Sequence, residues 1–226
     1  MKLRFLLCLL LFWQTIVYAG TPIGKPIRYV HTHEKIALLT FDDGPSVPYT
    51  KEILDILDKY DVKATFFVVG INVKKYPDLV KEIISRGNEI GNHSYTHDKL
   101  KQKSASAIAA DLTKTDQLIR GVGYQKVIPF RAPFGQLSPN METALKDLNK
   151  PHILFNFLPK DWENPPPQVI YDRVMEKASP GFIITLHDGW NHRENTVKAT
   201  EMIIKGLKAK GYRFVTATEF LKMNQE

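Results

Sequence analysis

The chain has 226 residues, of which 43% are hydrophobic, and this is enough for one well-packed domain. Its formal net charge is +7, from 31 Lys and Arg against 24 Asp and Glu. The basic residues are dispersed among acids, which argues against a nucleic-acid-binding protein. The positive balance suits an anionic cell-wall polymer as a target, but ordinary solubility explains it equally well.

The first 19 residues have the organisation of a signal peptide. Lys2 and Arg4 precede an apolar run from Phe5 to Trp13, and small residues at 17 and 19 precede a cleavage point after Ala19. The run is shorter than the roughly 20 residues of a spanning helix, so we expect cleavage, no stable membrane span in the mature chain, and a periplasmic or secreted protein. The only cysteine, Cys8, lies in this leader, which leaves neither disulfides nor thiol chemistry in the mature chain. The predicted organisation is a signal peptide at 1–19, an N-terminal segment at 20–34 and one domain at 35–222.

From residue 35 onward, short apolar runs alternate with helical periodicity. Ile36–Phe41 is predicted to be a strand, and Thr50–Tyr60 carries its apolar residues on one helical face. Further strands are predicted at 64–69, 127–130, 153–157, 181–186 and 213–215, and further helices at 77–85, 139–148, 169–178, 196–208 and 217–221. This alternation predicts an α/β protein with parallel strands, arranged as an open doubly wound sheet or as a barrel.

Residues with reactive side chains fall where these strands end, which is where functional groups gather in such folds. Asp42 and Asp43 follow the first strand. Because adjacent residues point in different directions, one can bind a metal while the other faces a substrate; an ordinary Asp-Gly turn is the alternative. The other polar strand-end residues are His93, Arg131, Asp161 with Trp162, and His187.

His93 and His97 are spaced four residues apart. On one helical turn both imidazoles could reach a single ion, although histidines at this spacing are often merely solvated. A carboxylate added to two imidazoles makes a set with open coordination positions, as expected of a hydrolytic or redox-active metal. In an exported hydrolase this set favours zinc, with cobalt as the alternative.

Five motifs in this order resemble those of the polysaccharide deacetylases, also called carbohydrate esterase family 4 or the NodB homology domain. The resemblance spans about residues 35–220 and implies a single-domain distorted (β/α) barrel, usually of seven strands. It implies that a divalent metal is held by Asp43, His93 and His97. The motifs are Thr40–Gly44, His93–His97, Arg131–Gly135, Asp161–Trp162 and Thr185–His187.

The resemblance also implies catalytic roles. Asp42 would be the general base and would pair with Arg131. His187 would be the general acid, with its imidazole held by Asp161.

Three further residues would bind substrate. Phe134 would supply a backbone N–H to an oxyanion and an aromatic wall, Trp162 would form one side of an acetyl-sized pocket, and Leu186 is the third. The side chains of Phe134 and Trp162 could instead belong to the core. This sequence departs from the family pattern at Leu158, where an acid is frequent, and at Thr185, where leucine is usual. These two departures put the shape and polarity of the pocket in question.

The implied activity is hydrolysis of N-acetyl groups from an amino-sugar polymer, peptidoglycan N-acetylglucosamine or chitin-type oligomers, with release of acetate. A monomer is favoured. Two alternatives stay open at this point: an O-acetyl xylan esterase that uses the same residues, and a non-catalytic polysaccharide-binding protein on a degenerate catalytic fold.

Overall fold

The computed structural model describes residues 23–223, so the predicted signal peptide lies outside the described residues. Strands and helices alternate along this part of the chain, and no helix in it is long and apolar enough to cross a membrane. The strands are β1 (Pro26–Ile27), β2 (Ile36–Asp42), β3 (Thr65–Val68), β4 (Glu89–Asn92), β5 (His152–Ile153), β6 (Phe182–His187) and β7 (Arg213–Val215). The helices are α1 (Tyr49–Lys59), α2 (Gly70–Lys75), α3 (Pro77–Ser85), α4 (Ala105–Gly121), α5 (Pro139–Asp147), α6 (Pro167–Lys177), α7 (Glu194–Ala209) and α8 (Ala217–Met223).

All the strand pairs are parallel. In one sheet β2 lies between β3 and β6, β4 follows β3, and β7 pairs with the start of β2, while β1 and β5 pair separately. Bridges through Phe130 link β4 to β5, and the Val30 N–H donates to the Gly181 carbonyl beside β6 over 3.0 Å. The strands therefore close into a distorted barrel, which confirms the predicted α/β class and single domain. The count of seven barrel strands stays a prediction.

The alternation of side chains along β2 and β6 separates two apolar layers. Phe182, Ile184 and Leu186 of β6 belong to the outer cluster, which also contains residues of α1 and α7, whereas Ile183 belongs to an inner cluster with β1 and α8. Burial of one such side chain stabilises the fold by roughly 1.5–3 kcal/mol. Because successive side chains point to opposite faces, His187 at the end of β6 points to the same side as Ile183. The polar side chains at the strand ends, such as His187, therefore lie at one end of the barrel interior.

The bounds of the predicted helices were more accurate than those of the predicted strands. The predicted helices agree with the structure within two residues at either end. The predicted strand at 127–130 is wrong: only Phe130 forms bridges there, and Pro129 has no N–H to donate to a ladder. The predicted strand at 153–157 is reduced to His152–Ile153.

The longest helix within residues 23–223, α4, was not predicted, and neither was the short helix α2. Helix α4 has 17 residues and begins after Ser104, whose side chain accepts a hydrogen bond from the Ala107 N–H. Its buried apolar residues Ile108, Leu112 and Ile119 recur at helical spacing. The N-cap and this spacing were visible in the sequence.

Candidate active site

A cavity of about 700 Å³ opens at the carboxyl ends of the strands, which is within the range of small-molecule sites. Residues from all five predicted motif regions line it or lie directly beneath it. The lining includes Asp42, Asp43, His93, His97, Ala132, Phe134, Trp162 and His187, together with Phe155, Leu158, Trp190 and Arg193. The sequence prediction that the strand ends meet at one site is therefore consistent with the structure.

Asp43, His93 and His97 come together as predicted. One donor atom from each lies within 4.8 Å of the others, and Asp43 Oδ1 is 3.5 Å from His93 Nε2 and 3.2 Å from His97 Nε2. Asp43 Oδ1 is buried and has no hydrogen-bond partner among the described residues. Such short separations suit donors that share one ion with bonds of about 2.0–2.2 Å. The three residues therefore fit a divalent metal.

The two histidines are not on a helical turn, and that sequence expectation is wrong. They follow β4 in a loop, where Ser94 has φ 68° and His97 has φ 61°. The His97 N–H donates to Ser94 Oγ over 3.0 Å, and His93 Nδ1 lies 2.9 Å from the Arg131 carbonyl oxygen. Because that carbonyl can only accept, His93 carries its proton on Nδ1 and leaves the Nε2 lone pair for a ligand.

The surroundings of Asp43 and His97 favour metal binding. Burial alone would raise the pKa of Asp43, but the close approach of His93 and the other neighbouring imidazoles holds that pKa far below its usual value. Burial and the proximity of His93 lower the pKa of His97. Both shifts favour the forms that bind metals, an ionised carboxylate and a neutral imidazole.

Asp42 and Arg131 form the predicted pair. Arg131 is fully buried, and its Nη1 donates to Asp42 Oδ1 and to Thr40 Oγ1, each over 2.7 Å. The guanidinium carbon also lies 4.0 Å from the centre of the Phe67 ring. Arg131 is thus held on three sides and keeps Asp42 at the edge of the cavity, where Asp42 Oδ2 is 4.0 Å from His93 Nε2.

Asp161 holds His187 as predicted, and a third residue joins the pair. Asp161 Oδ1 lies 2.8 Å from His187 Nδ1, while Oδ2 accepts from the His187 N–H over 2.8 Å and from Thr196 Oγ1 over 3.0 Å. Burial lowers the pKa of His187, but the charge and hydrogen bond of Asp161 outweigh burial and raise it to about 9. His187 therefore carries a proton at neutral pH and can donate it.

Two of the three predicted substrate-binding residues line the cavity, and the third does not. Phe134 is 56% exposed, with its ring centre 4.6 Å from that of His97, and Trp162 is 39% exposed, 5.2 Å from His187. Both are walls of the cavity rather than core. Leu186 is a correction: it is fully buried in the outer apolar cluster, because its position in β6 turns it away from the face that carries His187.

Of the two positions that depart from the family pattern, one lines the cavity and the other is buried. Leu158 lines the cavity and gives it an apolar surface. Thr185 is fully buried and lies beneath the cavity, where its Oγ1 accepts from Thr40 Oγ1 over 3.4 Å. Of the two, only Leu158 is placed to contact substrate.

Sequence reasoning missed the residues that join the loop after β2 to the loop after β6. Asp188 is fully buried and accepts from Thr50 Oγ1 over 2.5 Å. Burial, with the charges of Asp43 and Asp42, raises the pKa of Asp188 to about 7 although the Thr50 hydrogen bond opposes this. A Cβ on Gly44 would collide with Asp188, and one on Gly189 would collide with the backbone of Asp43. The glycines of the Asp-Gly pairs at 43–44 and 188–189 were the available signal.

The sequence matches a known protein family over the part of the chain that supplies most of this site. The family model described as polysaccharide deacetylase matches residues 29–152, a span that contains Asp42, Asp43, both metal-site histidines and Arg131. The chain belongs to the polysaccharide deacetylase family.

Individual members of this family are similar to the chain over most of its length. The chain is 36% identical over 203 residues to a peptidoglycan-N-acetylglucosamine deacetylase of Bacillus cereus, covering 89% of this chain and 95% of that protein. It is 32% identical over 212 residues to a chitooligosaccharide deacetylase of Sinorhizobium fredii, covering 89% and 94%. Among solved structures, a carbohydrate esterase family 4 pseudoenzyme from Bacillus anthracis superposes with a TM-score of 0.82 at 35% identity, covering 88% of this chain and 69% of that one.

Proposed function

We propose that this protein is a metal-dependent N-deacetylase of an amino-sugar polymer, with peptidoglycan N-acetylglucosamine as the favoured substrate and chitin-type oligomers next. The observation that carries the proposal is the placement of three chemically distinct groups around one cavity. These are the Asp43, His93 and His97 donor set, the carboxylate of Asp42, and the protonated imidazole of His187. Metal-assisted hydrolysis of an amide uses all three functions: activation of the carbonyl and the water, acceptance of the water's proton, and protonation of the leaving nitrogen.

On the side of attack, Asp42 accepts the proton of the water that adds to the acetamido carbon. A divalent ion bound by Asp43, His93 and His97 would polarise the carbonyl and lower the pKa of that water. Arg131 orients the carboxylate of Asp42, and its own charge does not titrate near neutral pH. The Phe134 N–H is proposed to stabilise the tetrahedral oxyanion, an interaction worth roughly 3 kcal/mol.

On the side of departure, His187 donates its proton to the sugar nitrogen as the C–N bond breaks. Because an amine anion is a very poor leaving group, this proton is needed before acetate and the free amine can separate. Asp161 orients the imidazole and favours its charged form, and Thr196 fixes Asp161 in turn. The phenyl and indole rings of Phe134 and Trp162 enclose the acetyl group between these two sides.

The test is acetate release from three polymers. The purified protein is incubated with peptidoglycan, with N-acetylglucosamine oligomers and with acetylated xylan, and released acetate is measured. Acetate from peptidoglycan at the highest rate supports the proposal. Acetate from xylan alone would make the protein an O-acetyl esterase, and no acetate from any of them would support the non-catalytic alternative.

Metal dependence has its own test. Chelation followed by verified removal of metal should abolish acetate release, and zinc, or cobalt in its place, should restore it, because Asp43, His93 and His97 would be left without their ion. An Asp43→Ala variant should bind less metal by elemental analysis. Full turnover by protein shown to be free of metal would contradict the proposal. Zinc is the metal we favour in the cell, and a compartment outside the cytoplasm is where we place the enzyme.

A further inference from the structure

Arg193 lies in the wall of the same cavity and has no assigned role. It is only 5% exposed and lines the cavity together with Trp190. Its Nε donates to the Gly189 carbonyl over 2.8 Å, which ties the side chain to the loop after β6. Within residues 23–223, no carboxylate lies within 4.0 Å of its guanidinium nitrogens.

Three of the acids around the cavity are paired with other cations or belong to the donor set, and a fourth, Asp188, accepts from Thr50 Oγ1. Asp42 pairs with Arg131, Asp161 pairs with His187, and Asp43 lies between the two metal-site histidines. Glu194, the chain neighbour of Arg193, accepts from the Tyr49 hydroxyl over 2.7 Å. The charge of Arg193 thus has no protein partner in the described part of the chain.

A buried charge without a protein partner is costly unless water or a ligand supplies the partner, and the Nη atoms of Arg193 are not among the enclosed atoms that lack a partner. A guanidinium has five N–H donors, and Arg193 uses one of them on Gly189. The planar fork of the other nitrogens matches the two oxygens of a carboxylate. Arg193 also immediately precedes α7, whose N-terminus adds a partial positive charge.

We propose that Arg193 is a subsite for a carboxylate that the polymer carries close to the acetamido group being hydrolysed. The proposal rests on the proposed function, and it makes the substrate class an anionic amino-sugar polymer rather than a neutral one. Trp190 is 57% exposed beside this subsite and offers an aromatic face to the same sugar chain. The net charge is +7 for the full sequence and +5 without Lys2 and Arg4 of the predicted leader, and this positive charge favours approach of such a polymer.

The test compares matched substrates. One is a peptide-free tetrasaccharide of alternating N-acetylglucosamine and N-acetylmuramic acid, and the other is the same tetrasaccharide with its carboxylates converted to carboxamides. A third, peptide-bearing tetrasaccharide shows whether the carboxylate belongs to the sugar or to the peptide. The protein variants are Arg193→Gln, Arg193→Lys and the control Arg213→Gln, which removes one charge at the exposed start of β7, where Arg213 pairs in register with Ile36.

We expect wild type to have a kcat/KM at least about 10-fold higher on a carboxylate-bearing tetrasaccharide than on the carboxamide, the lower end for hydrogen bonds to charged groups. Arg193→Gln should abolish this preference, Arg193→Lys should retain part of it, and Arg213→Gln should retain all of it. Equal losses on both substrates in Arg193→Gln would overturn the proposal and leave Arg193 as a support for the Gly189 loop. An equal kcat/KM for both substrates in wild type would overturn it as well.

Binding separates this inference from the proposed function. In an Asp42→Asn background, calorimetry measures affinity for the same tetrasaccharides without turnover. Tighter binding of the carboxylate form, lost in Asp42→Asn with Arg193→Gln, would support the subsite even if wild type released no acetate. In that case the proposed activity would fail while the anion subsite stood. Equal affinity for the two forms would contradict the subsite whatever the activity.

Discussion

Two buried carboxylates flank the cavity, and each is held by a different kind of cation. Asp42 accepts from Arg131 over 2.7 Å, and Asp161 lies 2.8 Å from His187 Nδ1. Arg131 keeps its charge at any pH that the protein tolerates, so its pair is electrostatically fixed. The pKa of His187 is raised only to about 9, so its proton can leave during a reaction and return.

This difference between a fixed and a titratable partner matches the proposed roles of the two sides, proton acceptance and proton donation. The Asp42 side must present an acceptor in a constant orientation, and a fully buried guanidinium bonded also to Thr40 provides that. The Asp161 side must release and regain a proton, and only a titratable partner provides that. The following substitutions test this division, from the largest expected effect to the smallest.

Asp42→Asn should have the largest effect on turnover. An amide cannot accept the water's proton, and loss of a general base typically costs about 10² to 10⁴ in rate. We expect kcat for acetate release to fall by that factor while bound metal, measured by elemental analysis, stays the same. Near-normal turnover would mean that Asp42 is only a strand-end turn residue with a buried partner.

His187→Ala should have an effect that depends on the leaving group. Hydrolysis of an N-acetyl substrate should fall by roughly 10² or more, within the range for general acid catalysis. An aryl acetate should lose far less, because an aryl oxide departs without a proton. The ratio of the two losses is insensitive to errors in enzyme concentration. Equal losses would assign His187 to binding or support, and His192 would be the next residue to test as the acid.

Asp161→Asn should weaken the amide reaction in the same direction but by less, about 10-fold, since it removes a charge-assisted hydrogen bond and leaves the imidazole in place. It should also move the pH profile. The raised pKa means that His187 is protonated below about pH 9 and loses its proton as pH rises through that value. Without Asp161 the pKa falls, so the alkaline limb of kcat/KM should shift to lower pH. An unmoved alkaline limb would show that another group sets it.

Thr196→Val should have the smallest effect, a loss of about 2- to 10-fold in kcat on the N-acetyl substrate, as expected for one hydrogen bond. Thr196→Ser keeps the hydroxyl and should restore most of the rate. Thr200→Val is a matched control, because Thr200 is buried one turn further along α7 and its hydroxyl donates to the Thr196 carbonyl rather than to Asp161. Equal losses in Thr196→Val and Thr200→Val would indicate a general effect on the helix.

The sequence predicted the site better than the elements around it. Asp42, Arg131, Asp161 and His187 each lie at a predicted strand end or motif, and their pairings depend on short contacts near the end of the barrel. Thr196 could not be found in this way, because its hydroxyl reaches Asp161 across 35 residues of chain from a helix face. Long-range contacts of this kind are set by tertiary packing and leave no local pattern.

The strands near the third motif were overestimated for a related reason. Apolar runs at 127–130 and 153–157 satisfy a hydrophobic criterion, but Pro129 cannot donate to a ladder and Phe155 is part of the cavity lining. The apolar residues of those two runs contribute to the cavity wall and to the single bridges at Phe130 rather than to a long strand. Leu186 is the opposite case: it belongs to a motif and precedes His187, yet its side chain packs entirely in the core.

One consequence follows from the register of β2 against β6. Asp42 and His187 are direct partners in that parallel ladder, so the spacing of adjacent strands, about 4.8 Å, sets the separation of the backbones that carry the proposed base and acid. The backbone hydrogen bonds of the sheet therefore fix the points from which these two side chains reach the cavity, whatever the lengths of the loops that bind the polymer. Loop exchange at positions such as 190–193 is accordingly a route to altered polymer preference that leaves the strand-borne base and acid in place.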